Sequence, residues 1–291
     1  MTNITEINKA IQNAIAKVNA QKHGELQEPD YTAALALEFP KAMNQAGVFP
    51  HIKFGGCFIH QSPIVQFNSP HKQKGCELGD LLVLLRKRTK DDVRYNAALI
   101  QLKISDISPA TLHGDGDLKQ LYLYEKWPAF TIISTGEQYD LFPKTVTQGA
   151  LYSIVQRKSV PQFFMAEPMT YMPFSGEMTF GRFIQNAINW QAGRTIADEL
   201  NKDSDEWSRL VWDLIKHSAK KVFNRKRIGC ENCPRLLDCF LNYTSTDNSH
   251  GIPSNDENET KDDEGSGIST LIIDINDIEP RERKNESYKK E

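Results

Sequence analysis

The chain opens with apolar positions at the period of a helix. Ile4, Ile7, Ile11, Ile15 and Val18 share one face, with Asn3 and Glu6 spaced as a capping box. After a break at His23 and Gly24, a second helical pattern runs from about Pro29 to Asn44. Pro29 suits a first turn, and Pro40 shortens or kinks the helix. Strand-like runs follow at Cys57 to Phe67, Leu78 to Arg88 and Asn96 to Ser105, with polar turns between them. A Ser-, Pro-, Gly- and Asp-rich loop leads to helical spacing over Asp117 to Trp127, stopped by Pro128, and Phe130 to Ser134 reads as another short strand.

Farther on, Gln162 to Ala166 has strand character. Two apolar stripes then predict helices, one on Phe180, Phe183, Ile184 and Ile188, the other on Trp207, Leu210, Val211, Leu214 and Ile215. These stripes read as core. From Asn242 onward the composition turns to Asn, Asp, Glu, Ser, Gly and Lys, which cannot bury enough apolar surface to order itself. The exception is the β-prone run Ser269 to Ile275, expected to add as a strand either to this domain or to a partner protein.

Charge divides the chain unevenly. Residues 243–291 carry 13 acidic and 6 basic side chains, which leaves residues 1–242 with 29 basic and 25 acidic ones. A mildly basic body suits a polyanionic partner. The N-terminus lacks a basic stretch followed by an apolar core, and no apolar run approaches the ~18 residues of a membrane span, so a cytoplasmic, membrane-free protein is expected. Five cysteines, an odd number, point to reduced thiols or metal ligation.

The candidate chemistry lies between residues 79 and 124. Asp80 precedes the apolar run Leu81 to Leu85. Gln101 and Lys103 share one face of the next strand, while Ile100, Leu102 and Ile104 pack the other. Gln120 and Tyr124 lie one helical turn apart. A polar pair at the end of a buried strand needs partners, because an unpaired buried amide alone costs about 1 to 3 kcal/mol.

This order of elements, with an acid on the second strand and a residue-x-Lys pair on the third, resembles the PD-(D/E)XK nuclease superfamily over roughly residues 28–136. Gln120 and Tyr124 resemble the downstream motif of its RecB-type branch. The neutral Gln101, where an acid is usual, resembles Mrr-like restriction nucleases. The resemblance implies an α/β, restriction-endonuclease-like mixed sheet flanked by helices, with a helical C-terminal extension and a disordered acidic tail. The expected division is an N-terminal helix over 1–24, a core over 25–136, the extension over 137–242 and the tail over 243–291.

The resemblance also implies DNA as substrate and Mg2+ or Mn2+ as cofactor, in host defence or DNA processing. Asp80, Gln101 and Glu38 would hold the ion, and Lys103 would orient the attacking water. Gln120 and Tyr124 would bond the scissile phosphate or the catalytic groups. Glu28 is an alternative to Glu38, whereas Glu77, three residues before Asp80, is expected to point away. The alternative class is a nuclease-fold subunit that binds nucleic acid or an assembly with weakened catalysis.

Two further features belong to the expected extension. The spacing of Cys230, Cys233 and Cys239 resembles that of iron-sulfur nucleases of the RecB-type branch, which implies a structural cluster with Cys57 as the candidate fourth ligand and Cys76 next. A zinc site completed by His217 or His250 is the other option. Lys220, Lys221, Arg225, Lys226 and Arg227 form a basic run suited to phosphates or to a solvated face.

Overall fold

The computed structural model describes residues 4–72, 74–106, 110, 112, 114–144, 149–168, 178–226, 236–245 and 267–277. Helix α1 (Ile4–Gln21) buries its isoleucine face, as its spacing predicts. Helix α2 (Glu28–Ala33) carries Pro29 in its first turn. A π-turn over Ala34–Glu38 separates it from α3 (Phe39–Ala46), and the Phe39 N–H reaches back five residues to Ala34 O. Pro40 explains the wide turn: it has no N–H to give to Ala36 O, so the regular ladder cannot close there.

The strands build two sheets. Strands β1 (Ile52–Cys57), β4 (Leu81–Arg88), β5 (Val93–Ile104), β8 (Ala150–Gln156), β9 (Gln162–Ala166), β10 (Met178–Thr179), β11 (Arg194–Ile196) and β12 (Ser269–Asn276) form the large one. Its order is β1-β12-β4-β5-β8-β9-β10, with β11 alongside β5. A smaller sheet has the order β3-β2-β6-β7, from β2 (Ile64–Phe67), β3 (Cys76–Glu77), β6 (Phe130–Ile132) and β7 (Gln138–Tyr139). Helix α4 (Asp115–Lys126) precedes β6, and β8 runs parallel to β5. Helices α5 (Phe180–Ile188), α6 (Glu206–Lys226) and α7 (Leu236–Ser245) complete the layers. The fold is α/β, with a large mixed sheet flanked by helices.

Alternation along the strands sorts the core into two faces. Leu81, Val83 and Leu85 of β4 and Leu271, Ile273 and Ile275 of β12 join one apolar cluster with α1, α3 and α5. Leu82, Leu84 and Ile272 point the other way, toward the small sheet, α4, α6 and α7. Strand β1 fits between two close neighbours because it carries paired glycines. A Cβ on Gly55 would lie 2.8 Å from the Leu241 Cα in α7, and one on Gly56 would lie 2.4 Å from Ala36 O in the π-turn. On the outer edge of β1, the Asn44 side chain takes the Phe54 N–H (2.9 Å) and donates to Phe54 O (2.7 Å), standing in for a neighbouring strand.

Several expectations change here. The run Cys57 to Phe67 contains the last residue of β1, a loop and then β2, and the two strands belong to different sheets; Phe130 to Ser134 supplies β6 of the small sheet. The strand parallel to β5 is β8, whose seven residues are all buried and so lack an alternating signature. The segment 137–242 carries α5, α6 and most of α7, and it also supplies β8 to β11 to the large sheet. The β-prone tail segment is β12, in register with β1 on one side and β4 on the other. Both its edges are occupied within this chain, so it is not a free edge for a partner protein. The rest of the expected acidic tail, 246–266 and 278–291, lies outside the described residues. Among the described residues, no helix is long and apolar enough to cross a membrane.

Candidate active site

The site forms where β4 begins and β5 ends. Leu81 pairs with Ile100, so one antiparallel step further sets Asp80 opposite Gln101. Asp80 shares the strand face of Leu82 and Leu84, and Gln101 and Lys103 share that of Ala97 and Leu99; this face is the one covered by α4. The Asp80 Oδ2 accepts from the Leu102 N–H (2.7 Å) and from Gln101 Nε2 (2.5 Å). Gln101 is fully buried, and its Nε2 also lies 3.3 Å from Leu102 O.

Helix α4 fixes the backbone leading into β4. Gln120 Nε2 donates to Glu77 O (3.0 Å) and to Gln101 Oε1 (2.5 Å), and the Tyr124 hydroxyl donates to Leu78 O (2.6 Å). Glycine at position 79 makes room for this approach, because a Cβ there would lie 2.7 Å from the Tyr124 hydroxyl and displace it. Gln120 and Tyr124 are both buried. The geometry ties Gln120 to Gln101, and both residues to the chain beneath Asp80.

Carboxylates ring Lys103. Its ammonium lies 3.2 Å from Asp117 Oδ1 on α4 and 3.6 Å from Glu28 Oε2 at the start of α2. The Glu28 Oε1 also accepts from the Ile104 N–H (3.2 Å), which ties α2 to the end of β5. Burial works against the Lys103 charge, but Glu28, Asp117 and Asp80 together raise its pKa, so it stays an ammonium. Burial, and then the negative neighbour Glu77, hold the Asp80 carboxyl well above its usual range. Burial also raises Glu77, against the opposing pull of Lys103 and a hydrogen bond from Gln101. Glu28, Glu77, Asp80 and Asp117 thus face a single ammonium, a formal excess of three negative charges when all are ionised.

Glu38 is not part of this cluster. Its carboxylate pairs with Lys17 on α1 (2.6 Å) and Lys41 on α3 (2.9 Å); although burial opposes it, these two ammoniums lower its pKa. The π-turn supplies the physical reason. One extra residue in a turn rotates everything after it by about 100°, and Glu38 closes that turn. Glu28, ten residues earlier, supplies the carboxylate instead. Glu77 also corrects an expectation: strand parity was carried across Gly79, but residues 78–80 form a bend rather than a strand, so Glu77 reaches the site. Asp117 had a readable signal, lying three residues before Gln120 and seven before Tyr124 on one helix face.

The cysteine and basic motifs contribute nothing to this cluster among the described residues. Cys57 lies fully buried in β1, Thr270 donates toward its sulfur, and burial pushes its thiol up to about 12. That is the setting of an apolar packing cysteine rather than a thiolate ligand. Cys76, likewise buried, is also pushed up to about 12. Cys239 is buried in α7, which packs on β1. Cys230 and Cys233 lie outside the described residues, as do Arg227, His250 and the side chains of Arg225 and Lys226. Lys220 and Lys221 sit near the end of α6. His217 bonds Glu137 (3.2 Å). Among the described residues, no three His, Cys, Asp or Glu side chains converge as a ready-made ligand set.

Comparisons with known protein families, with curated proteins and with solved structures find no match for this chain.

Proposed function

We propose that the chain is a divalent-metal-dependent deoxyribonuclease of the PD-(D/E)XK type, hydrolysing phosphodiester bonds in DNA with Mg2+ or Mn2+. The observation that carries this reading is the oxygen-lined point at the head of β4, where Asp80 Oδ2 and Leu102 O meet a single amide nitrogen, with the negative Glu77 and the Lys103 ammonium close by. These are hard oxygen donors, two of them carboxylates, and that chemistry fits Mg2+ or Mn2+ rather than a softer ion. Asp80, Glu77 and Leu102 O would hold the ion, with Gln101 Oε1 as a further donor. The bound ion would supply Lewis acidity and an acidified water.

Lys103 has a role that follows from its neighbours. Held charged by Glu28, Asp117 and Asp80, it cannot serve as a proton acceptor near neutrality. It would instead orient the water and stabilise the charge that develops on the phosphoryl oxygens. Glu28 and Asp117 act through it as positioning residues.

A second reading is a nuclease-fold subunit that binds nucleic acid without cutting it. Neutral Gln101, where the related pattern has an acid, favours it, because an amide is a weaker ligand than a carboxylate. A cleavage assay on linear and circular, single- and double-stranded DNA with Mg2+ or Mn2+ separates the two. Metal-dependent cleavage lost in both Lys103→Ala and Asp80→Ala, with folding retained, is expected. Cleavage unchanged in both variants would remove the assignment, and DNA retention without cleavage by the wild type would favour the second reading.

A further inference from the structure

Three links run through the site in one direction. The Glu77 backbone carbonyl can only accept, so the Gln120 nitrogen must face it (3.0 Å). The same NH2 group donates its other hydrogen to Gln101 Oε1 (2.5 Å). Gln101 is thereby oriented with its own NH2 group toward Asp80 Oδ2 (2.5 Å) and Leu102 O (3.3 Å), both of them acceptors. Turning either amide alone would set oxygen against oxygen or nitrogen against nitrogen. The amide hydrogens of Gln101 therefore occupy the point where the site's oxygens converge, which is the position a cation would need.

We infer that Gln101 is a removable plug in the metal site and that Gln120, which touches no ion, is its latch: cation binding requires both carboxamides to turn together. This deepens the proposed function and rests on it. Rotation of Gln101 withdraws its NH2 group and presents Oε1 to the ion. Its nitrogen then faces Gln120, which must turn its own oxygen inward and give up the bond to Glu77 O. Loading is thus opposed by one lost backbone hydrogen bond and by the reversal of the other two links. An acid at position 101 has no such barrier, since both of its oxygens accept. The plug stabilises the half-buried Asp80 when no cation is bound, at the expense of metal affinity.

The direction of one effect separates a latch from an ordinary support. Removing a residue that supports a metal ligand weakens binding, commonly by about 10- to 100-fold. Removing a latch tightens it. Mn2+ affinity measured by electron paramagnetic resonance is therefore expected to rise about tenfold in Gln120→Met and in Gln101→Glu, with no added gain in the double variant. In the wild-type protein, Mg2+ titration followed by nitrogen-15 NMR of side-chain amides should move the Gln101 and Gln120 signals together.

A Gln101 signal that moves alone, or weaker Mn2+ binding in Gln120→Met, would overturn the inference while leaving the metal site intact. Mn2+ affinity unchanged by Asp80→Asn would remove the metal site, and the plug with it. The NMR measurement uses only the wild-type chain, so it decides the question even where a variant fails to fold.

Discussion

Replacing Asp274 tests whether the C-terminal strand is an integral part of the sheet that carries the site. Asp274 is 1 % exposed in β12. Its Oδ1 accepts from Arg86 Nε (2.7 Å) and its Oδ2 from an Arg88 terminal nitrogen (2.6 Å), both on β4. Arg86 is 2 % exposed and has one other carboxylate, Asp238 on α7, at 2.8 Å. Burial opposes the Arg86 charge, but the two acids raise its pKa further, so Asp274→Ala leaves a charged guanidinium rather than a neutral one. Breaking a buried pair from one side costs about 3 to 5 kcal/mol. Asp238 still satisfies part of Arg86, which places the expectation at the lower end, about 3 kcal/mol. For a domain of this size that corresponds to a fall of roughly 6 to 12 °C in melting temperature. Urea unfolding followed by circular dichroism measures it directly. Asp238→Ala is the control: that carboxylate is 30 % exposed, and its loss should cost about 1 kcal/mol. If Asp274→Ala loses less than about 1 kcal/mol, or no more than Asp238→Ala, the ion pair does not hold β12 in place.

Gly56→Ala should destabilise the chain by at least about 1 to 3 kcal/mol, because the new Cβ would lie 2.3 Å from Thr270 O and 2.4 Å from Ala36 O, neither of which can move without its strand or turn; a urea midpoint equal to wild type would refute this. Tyr124→Phe leaves Leu78 O without its 2.6 Å donor and should cost about 1 to 3 kcal/mol, read by thermal melting. Asp80 and Glu77 titrate above their ordinary values in the fold, so in chelator their contribution to stability is complete below about pH 4 and is lost as pH rises through the raised values. Asp80→Asn should therefore gain stability relative to wild type as pH rises from acidic toward neutral, and parallel pH profiles for the two proteins would contradict the burial of a titrating Asp80.

The sequence disclosed single elements more readily than their partners. Ser269 to Ile275 is legible as a strand because its apolar, β-branched residues have no other use, but nothing local says that it enters between β1 and β4. Parallel pairing with β4 joins residues almost 190 positions apart, so it is decided by tertiary packing alone. Strand β8 was hidden for the opposite reason: buried on both faces, it lacks the alternation that marks a half-exposed strand. In the site, Asp80, Gln101 and Lys103 could be placed on one face by strand parity, and Gln120 and Tyr124 by helical spacing. Parity failed where the backbone left its regular form, at the bend that brings in Glu77 and at the π-turn that carries Glu38 away. Glu28 enters through a tertiary contact between α2 and the end of β5, which periodicity does not encode.

The two ends of the β4–β12 pair differ in how their charges are balanced. At one end Arg86 and Arg88 meet Asp274 and Asp238, two charges against two, and every contact is a direct hydrogen bond. At the other, four carboxylates gather around Lys103, and a neutral amide covers Asp80. Local imbalance of this kind is disfavoured by folding unless the surrounding structure fixes it in place. Here that structure is identifiable: Gln120 and Tyr124 pin the bend before Asp80, and the Leu102 N–H pins its carboxylate. An added cation would correct the imbalance while the Tyr124 and Leu102 supports stay in place, at the cost of the Gln120 bond to Glu77 O. A chain that needed only stability would be better served by a second Lys or by fewer acids, and the gathering of four carboxyl groups is the feature that a purely structural role leaves without a cause.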